Sequence, residues 1–305
     1  MEEHLHILDG ALYHALIYLG YAFLSGHMIW RLLGARSSTG GYPGEARPGE
    51  IPATERTYSL VGIGMVLSGS ILGLLQGIWT MELAYTPRNI TLVVGQTMFG
   101  RSWLTQAGFA SVTVMVRILM LRGWRIPGGV LLVSVGLALV AQTSLGHASR
   151  TGLMAWPMLI QSLHALAVTT WLAGLLVLME RLVHGGYPDL KSPLMHFSRL
   201  SILCFVLLLP TGLWSTLQLV PNLSAMLSPY GLILGLKLCF VMAVLGIAAG
   251  HHVWRLPRFR RNPTEASAWE AMDRWVMAEV FMAFMAILLA ALLSQVAPPD
   301  AINPL

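Results

Sequence analysis

Eight apolar runs, each about as long as a bilayer is thick, constrain this chain more than anything else in it. They fall at about 5–33, 57–84, 102–121, 126–146, 154–178, 197–220, 230–254 and 270–296. A hydrocarbon core of about 30 Å takes about 20 helical residues, and inside it every backbone polar group needs an internal partner. The helix meets that demand within a single run. The expected fold is therefore all-α: a polytopic membrane protein built as an eight-transmembrane-helix bundle.

The rest of the composition agrees. Of 305 residues, 55% are hydrophobic and 11% charged, with a mean hydropathy of +0.66. A soluble domain carries roughly twice that charged fraction. The first run follows the acidic start Met1-Glu2-Glu3-His4, which lacks the basic region of a cleaved leader, so it is read as a retained helix. The longest connection, residues 34–56, is rich in Gly, Pro and Arg and reads as a loop.

Orientation follows from the positive charges, which concentrate in cytoplasmic connections. Of the 19 Lys and Arg, fifteen lie in or beside the connections after runs one, three, five and seven. Arg88, Arg101 and Arg150 lie on the other side, and Lys237 lies inside run seven. Both termini are expected outside. His14-Ala15-Leu16 in run one is echoed by His164-Ala165-Leu166 in run five, four helices later. A parallel four-plus-four repeat would produce that echo. The expected division is an N-terminal four-helix half (1–139), a C-terminal four-helix half (140–299) and a tail (300–305).

Several function classes drop out. There is no Gly-x-x-x-x-Gly-Lys-[Ser/Thr] loop and no space for a nucleotide-binding domain, which argues against a primary pump. No nucleophile elbow and no helix with paired carboxylates is present, so enzymatic chemistry is not indicated. No basic, aromatic-interleaved patch of the nucleic-acid kind occurs. The two cysteines, Cys204 and Cys239, lie within apolar runs and form no zinc-type motif.

What remains are polar side chains inside the membrane, whose burial is costly. His14 and His164 lie at similar depths from the outer face. His147 closes run four, and Met154 and Met158 stand four apart at the start of run five. Imidazole and thioether together suit copper, since thioether selects Cu(I) and imidazole serves both oxidation states. His14, His147, Met154, Met158 and His164 are thus candidate metal ligands at the outer face. Any one of these Met residues taken alone reads first as core filler. A second pattern competes with copper. His27 lies thirteen residues below His14, and His251 and His252 end run seven at matching depth. Two stacked bis-His sites, His14 with His164 and His27 with His251, are how haem b is held in helical bundles. Lys237 and Glu279 are further buried polar residues, read as functional groups or as snorkelling and structural ones.

The second half resembles the copper resistance protein D family. The resemblance is carried by Ser144-Leu145-Gly146-His147-Ala148, Leu163-His164-Ala165-Leu166 and Trp171-Leu172-Ala173-Gly174-Leu175. It continues through His196-Phe197-Ser198-Arg199-Leu200, Thr211-Gly212-Leu213, Tyr230-Gly231, Leu236-Lys237 and Leu292-Leu293-Ser294 before Pro298-Pro299. The resemblance implies a bacterial inner-membrane copper-handling protein. It also implies a separate periplasmic copper-binding partner of the copper resistance protein C type, because this chain carries no such domain fused. Where that family has Asn-Arg, this chain has His251-His252, which keeps haem beside copper. Three expectations follow: copper transport from the periplasmic side, a b-type cytochrome, or an accessory subunit of a larger membrane complex.

Overall fold

The computed structural model describes residues 2–34, 51–145, 156–183, 191–220, 222–251, 253 and 266–296. Among the described residues it is helical, with no strands. The helices are α1 (Glu2–Gly34), α2 (Ala53–Trp79), α3 (Pro87–Gln96), α4 (Met98–Leu121), α5 (Gly128–Thr143), α6 (Trp156–Val183), α7 (Lys191–Leu219), α8 (Pro229–Gly250) and α9 (Ala266–Leu293), with a 3-10 turn at Leu223–Leu227 before α8. Seven of them are long and apolar enough to cross a membrane. The eighth expected span, α5, is a shorter apolar helix. Its 16 residues cover about 24 Å at 1.5 Å per residue.

One helix had no counterpart in the apolar pattern. α3 is short, starts with Pro87 behind a Thr86 cap that accepts from the Asn89 amide, and lies between two spans. Pro at the first position and a Thr cap start a helix without any apolar run.

α1 and α6 form the centre. Each is 67% buried across its apolar window, against 11% for α7 and α8. They run parallel: Gly26 meets Ala173 and Val177, His27 meets Glu180, and Trp30 meets Arg181. Gly26 permits the close approach, because a Cβ there would lie 2.7 Å from the Ala173 carbonyl oxygen. The Trp30 indole N–H donates to the Gly174 carbonyl at 2.8 Å, closing the seam. α2 crosses α1 through a second glycine seam, where Gly62 and Gly69 face Gly20, Leu24 and Ile17. Small residues at such contacts replace the hydrophobic drive that lipid removes. α7 packs on α6 and α8 packs on α9.

Arg117, one of the fifteen Lys and Arg in or beside the odd-numbered connections, is a buried residue of the third run. It lies inside α4, 1% exposed, with its guanidinium on the Glu55 carboxylate at 2.8 Å and its Nε on Ser59 Oγ at 2.8 Å. Because those partners satisfy its charge, the helix continues past it to Leu121.

Candidate functional site

The His164 ring is held by a neighbour. Its Nδ1 lies 2.9 Å from Thr211 Oγ1 on α7, and the Thr211 hydroxyl donates to the Leu207 carbonyl at 2.6 Å. With its proton engaged there, Thr211 accepts, so His164 carries its hydrogen on Nδ1. The lone pair is then on Nε2, which has no hydrogen-bond partner among the described residues. Opposite the ring edge stands Gly212, where a Cβ would lie 3.4 Å from Cε1. A fixed tautomer with the second nitrogen available is how metal-binding histidines are prepared.

His14 on α1 shows the same logic. Its Nδ1 lies 3.1 Å from the Gly10 carbonyl oxygen and 3.2 Å from Ser294 Oγ of α9. The Ser294 hydroxyl donates to Ala291, so both neighbours accept and Nδ1 carries the hydrogen. Nε2 of His14 accepts from the Tyr13 hydroxyl at 2.9 Å. His164 therefore presents an open nitrogen and His14 a nitrogen covered by a phenol.

The two rings face different helices, His14 toward α9 and His164 toward α7. Their depths agree. Counted from the Gly26–Ala173 contact, His14 is twelve residues up α1 and His164 nine up α6, about 18 and about 14 Å along parallel axes. Met158 is buried at the start of α6, 4% exposed. His147 and Met154 lie outside the described residues. Among the described residues, no group of three or more His, Cys, Asp or Glu comes together as a metal site.

The inner-half histidines have carboxylate neighbours. His27 Nε2 lies 3.1 Å from Glu180 Oε2, with the ring edge-on to Tyr58. His251 Nε2 lies 3.5 Å from Glu279 Oε2. Glu279, read from sequence as a buried polar residue with a functional or structural role, is thus the α9 partner of the end of α8.

Lys237 of α8 makes no hydrogen bond or ion pair among the described residues. Other buried polar residues are uncharged or lie at run ends and carry no depth-matched partner in the sequence. Gln142, 2% exposed, has neither amide atom hydrogen-bonded among the described residues and lies five residues before His147. Gln106, 1% exposed, donates to Ser70. Glu55 was missed because it was assigned to a loop; its spacing of four from Ser59 was the available signal.

The segment holding Thr211, Lys237, His251 and Glu279 matches a known family. Residues 192–293, about a third of the chain, match the model of the copper resistance protein D domain. The domain spans most of α7, then α8 and α9, and packs on α6 through Thr211 and His164. His14, Met158 and His164 lie outside it, on the helices it covers. No curated protein and no solved structure matches the chain. The chain has seven helices long and apolar enough to cross a membrane, and its segment 192–293 is similar to copper resistance protein D.

Proposed function

We propose that the protein receives copper ions at the periplasmic face of the bacterial inner membrane and handles them inside the bundle. The observation that carries this reading is the His164 ring, fixed through Nδ1 by the copper resistance protein D domain with Nε2 left for a ligand. Met158 on the same helix supplies a thioether, and His147 and Met154 precede it in the chain, between α5 and α6. His14 lies one turn further out and is the next nitrogen. Copper is the cargo here, with no resident cofactor needed for the reading. Both termini face the periplasm, and a periplasmic protein of the copper resistance protein C type delivers the ion.

The test combines binding with cellular copper. Haem-free purified protein is expected to bind Cu(I), and His147→Ala with His164→Ala to change the copper content of cells. Absence of binding with unchanged cellular copper would end the reading.

A second reading is a b-type cytochrome with His14 and His164 as ligands. It draws support from the two rings having the same tautomer, which an axial haem ligand also requires. The inner pair of that reading, His27 and His251, has carboxylate neighbours instead of open nitrogens. A visible spectrum of folded protein decides it: a Soret band supports haem and its absence removes the reading.

A further inference from the structure

The two outer histidines are anchored through Nδ1, His14 by Gly10 and His164 by Thr211. His27 is built differently. It is 4% exposed, its Nδ1 is buried without a hydrogen-bond partner among the described residues, and its Nε2 faces Glu180 Oε2 at 3.1 Å. The contact crosses the central seam between α1 and α6. Tyr58 of α2 stands edge-on to the ring, and Thr54 of the same helix is a hydrogen-bond partner of the Glu180 carboxylate. No hydrogen bond holds Nδ1 of His27, so the ring gains or loses a proton without breaking one there.

The charge of the pair depends on that proton. With it, an imidazolium faces a carboxylate and the pair is neutral. Without it, a net negative charge is left, which needs compensation inside the bundle. A proton supplies it, and so does a metal cation. α2, α5, α7 and α9 pack on α1 or α6. On α2, Glu55 takes Arg31 and Arg117, and the Tyr58 hydroxyl donates to the Leu176 carbonyl. α5 has no titratable residue. α7 brings His196 and the exposed Arg199, and α9 brings the half-buried Asp273, the exposed Arg274, and Glu279 facing His251. Arg181, next to Glu180, lies over the Trp30 ring and supports the carboxylate when the proton leaves. Both protonation states of the pair therefore have a partner. Glu180 is three residues from the end of α6, with its side chain 10% exposed against 5% for His27, so the carboxylate is the side on which the proton arrives.

We propose that His27 and Glu180 together form a proton-binding site, and that the protein exchanges one proton for one Cu(I) moving the opposite way. The exchange rests on the copper reading; the proton site does not. An ion that has moved inward from His14, about 20 Å along α1, meets the pair and replaces the proton as its compensating charge. One unit of positive charge leaves as one enters, so the exchange is electroneutral.

Infrared difference spectra of the protein in nanodiscs, between about pH 5 and about pH 9, read the site without copper. The wild type is expected to show an imidazole signal that His27→Gln removes and a carboxylate signal that Glu180→Gln removes. The controls His196→Gln, His251→Gln and Asp273→Asn are expected to keep both. Proteoliposomes then read the exchange. A pH gradient is expected to shift the steady-state Cu(I) distribution about tenfold per pH unit in the wild type, and to leave it unmoved in Glu180→Gln and in His27→Gln. Both variants are expected to keep wild-type Cu(I) affinity in a chelator competition, which separates lost coupling from lost folding. The absence of a pH-dependent signal from either residue overturns the proton site and leaves a structural ion pair. Signals from the pair with a copper distribution that ignores the pH gradient overturn the exchange. Signals from the pair with no copper crossing the membrane uphold the proton site and contradict the copper reading instead.

Discussion

Thr211 Oγ1 lies 2.9 Å from His164 Nδ1 and at the same time donates to the backbone of its own helix. One hydroxyl thus ties a residue of the copper resistance protein D domain to a histidine outside it and fixes which ring nitrogen is open. Removing that acceptor frees the ring to rotate and to change tautomer. Thr211→Val is expected to lower Cu(I) affinity about 10- to 100-fold, the range found for lost outer-shell partners. Thr211→Ser, which keeps the hydroxyl, is expected to stay near the wild type. Equilibrium competition with a Cu(I) chelator measures both, and equal loss in the two variants would point to packing instead.

Tyr13 covers the nitrogen that His14 would offer. A neutral hydrogen bond contributes about 1 kcal/mol net, or about a fivefold change in an equilibrium constant. If His14 accepts the ion after His164, Tyr13→Phe strengthens copper binding by about that factor and His14→Ala weakens it. The same competition titration reads both. Unchanged affinity in both variants would remove His14 from the path.

At the other end of the bundle, Glu55 and Arg117 are 2% and 1% exposed, and Ser59 completes the network. Removing one partner of a buried pair leaves an uncompensated charge and costs about 3–5 kcal/mol. Arg117→Met is expected to fall in that range. Arg31 also reaches Glu55, but its side chain is 48% exposed, and such pairs contribute about 0.2–1 kcal/mol. Thermal unfolding in detergent should therefore show a large drop for Arg117→Met, a small one for Arg31→Met and partial recovery in Glu55→Gln with Arg117→Met.

The centre of the fold rests on the contact between Gly26 and Ala173. Backbone, not a flexible side-chain end, stands where a Cβ would go, so α1 and α6 must separate to admit one. Gly26→Val is expected to destabilise the protein by about 1–3 kcal/mol and to loosen the Trp30–Gly174 hydrogen bond. Gly64, which has open space around it, is the control, and Gly64→Ala should not destabilise the protein.

Span length and apolarity made the bundle legible, because lipid imposes both on every crossing helix. α3 was not legible, since a Thr cap and Pro87 start it without an apolar run. Depth was legible for His14 and His164 because helical rise is constant. Facing was not: which helix each ring meets depends on glycine seams such as Gly26 on Ala173, whose partners lie about 150 residues away in sequence. The pairing of Arg117 with Glu55 was not legible for the same reason. Charge in a sequence suggests a loop until a partner on another helix is known, and 62 residues separate these two. Glu279 became interpretable only with His251 beside it.

X-ray absorption at the copper edge, on haem-free protein loaded with one Cu(I), tests the central claim most directly. A shell containing both histidine nitrogen and thioether sulfur is expected, with nitrogen lost in His164→Ala. A shell of sulfur alone or oxygen alone, or one unchanged in His164→Ala, would contradict the assignment of His164 as a copper ligand.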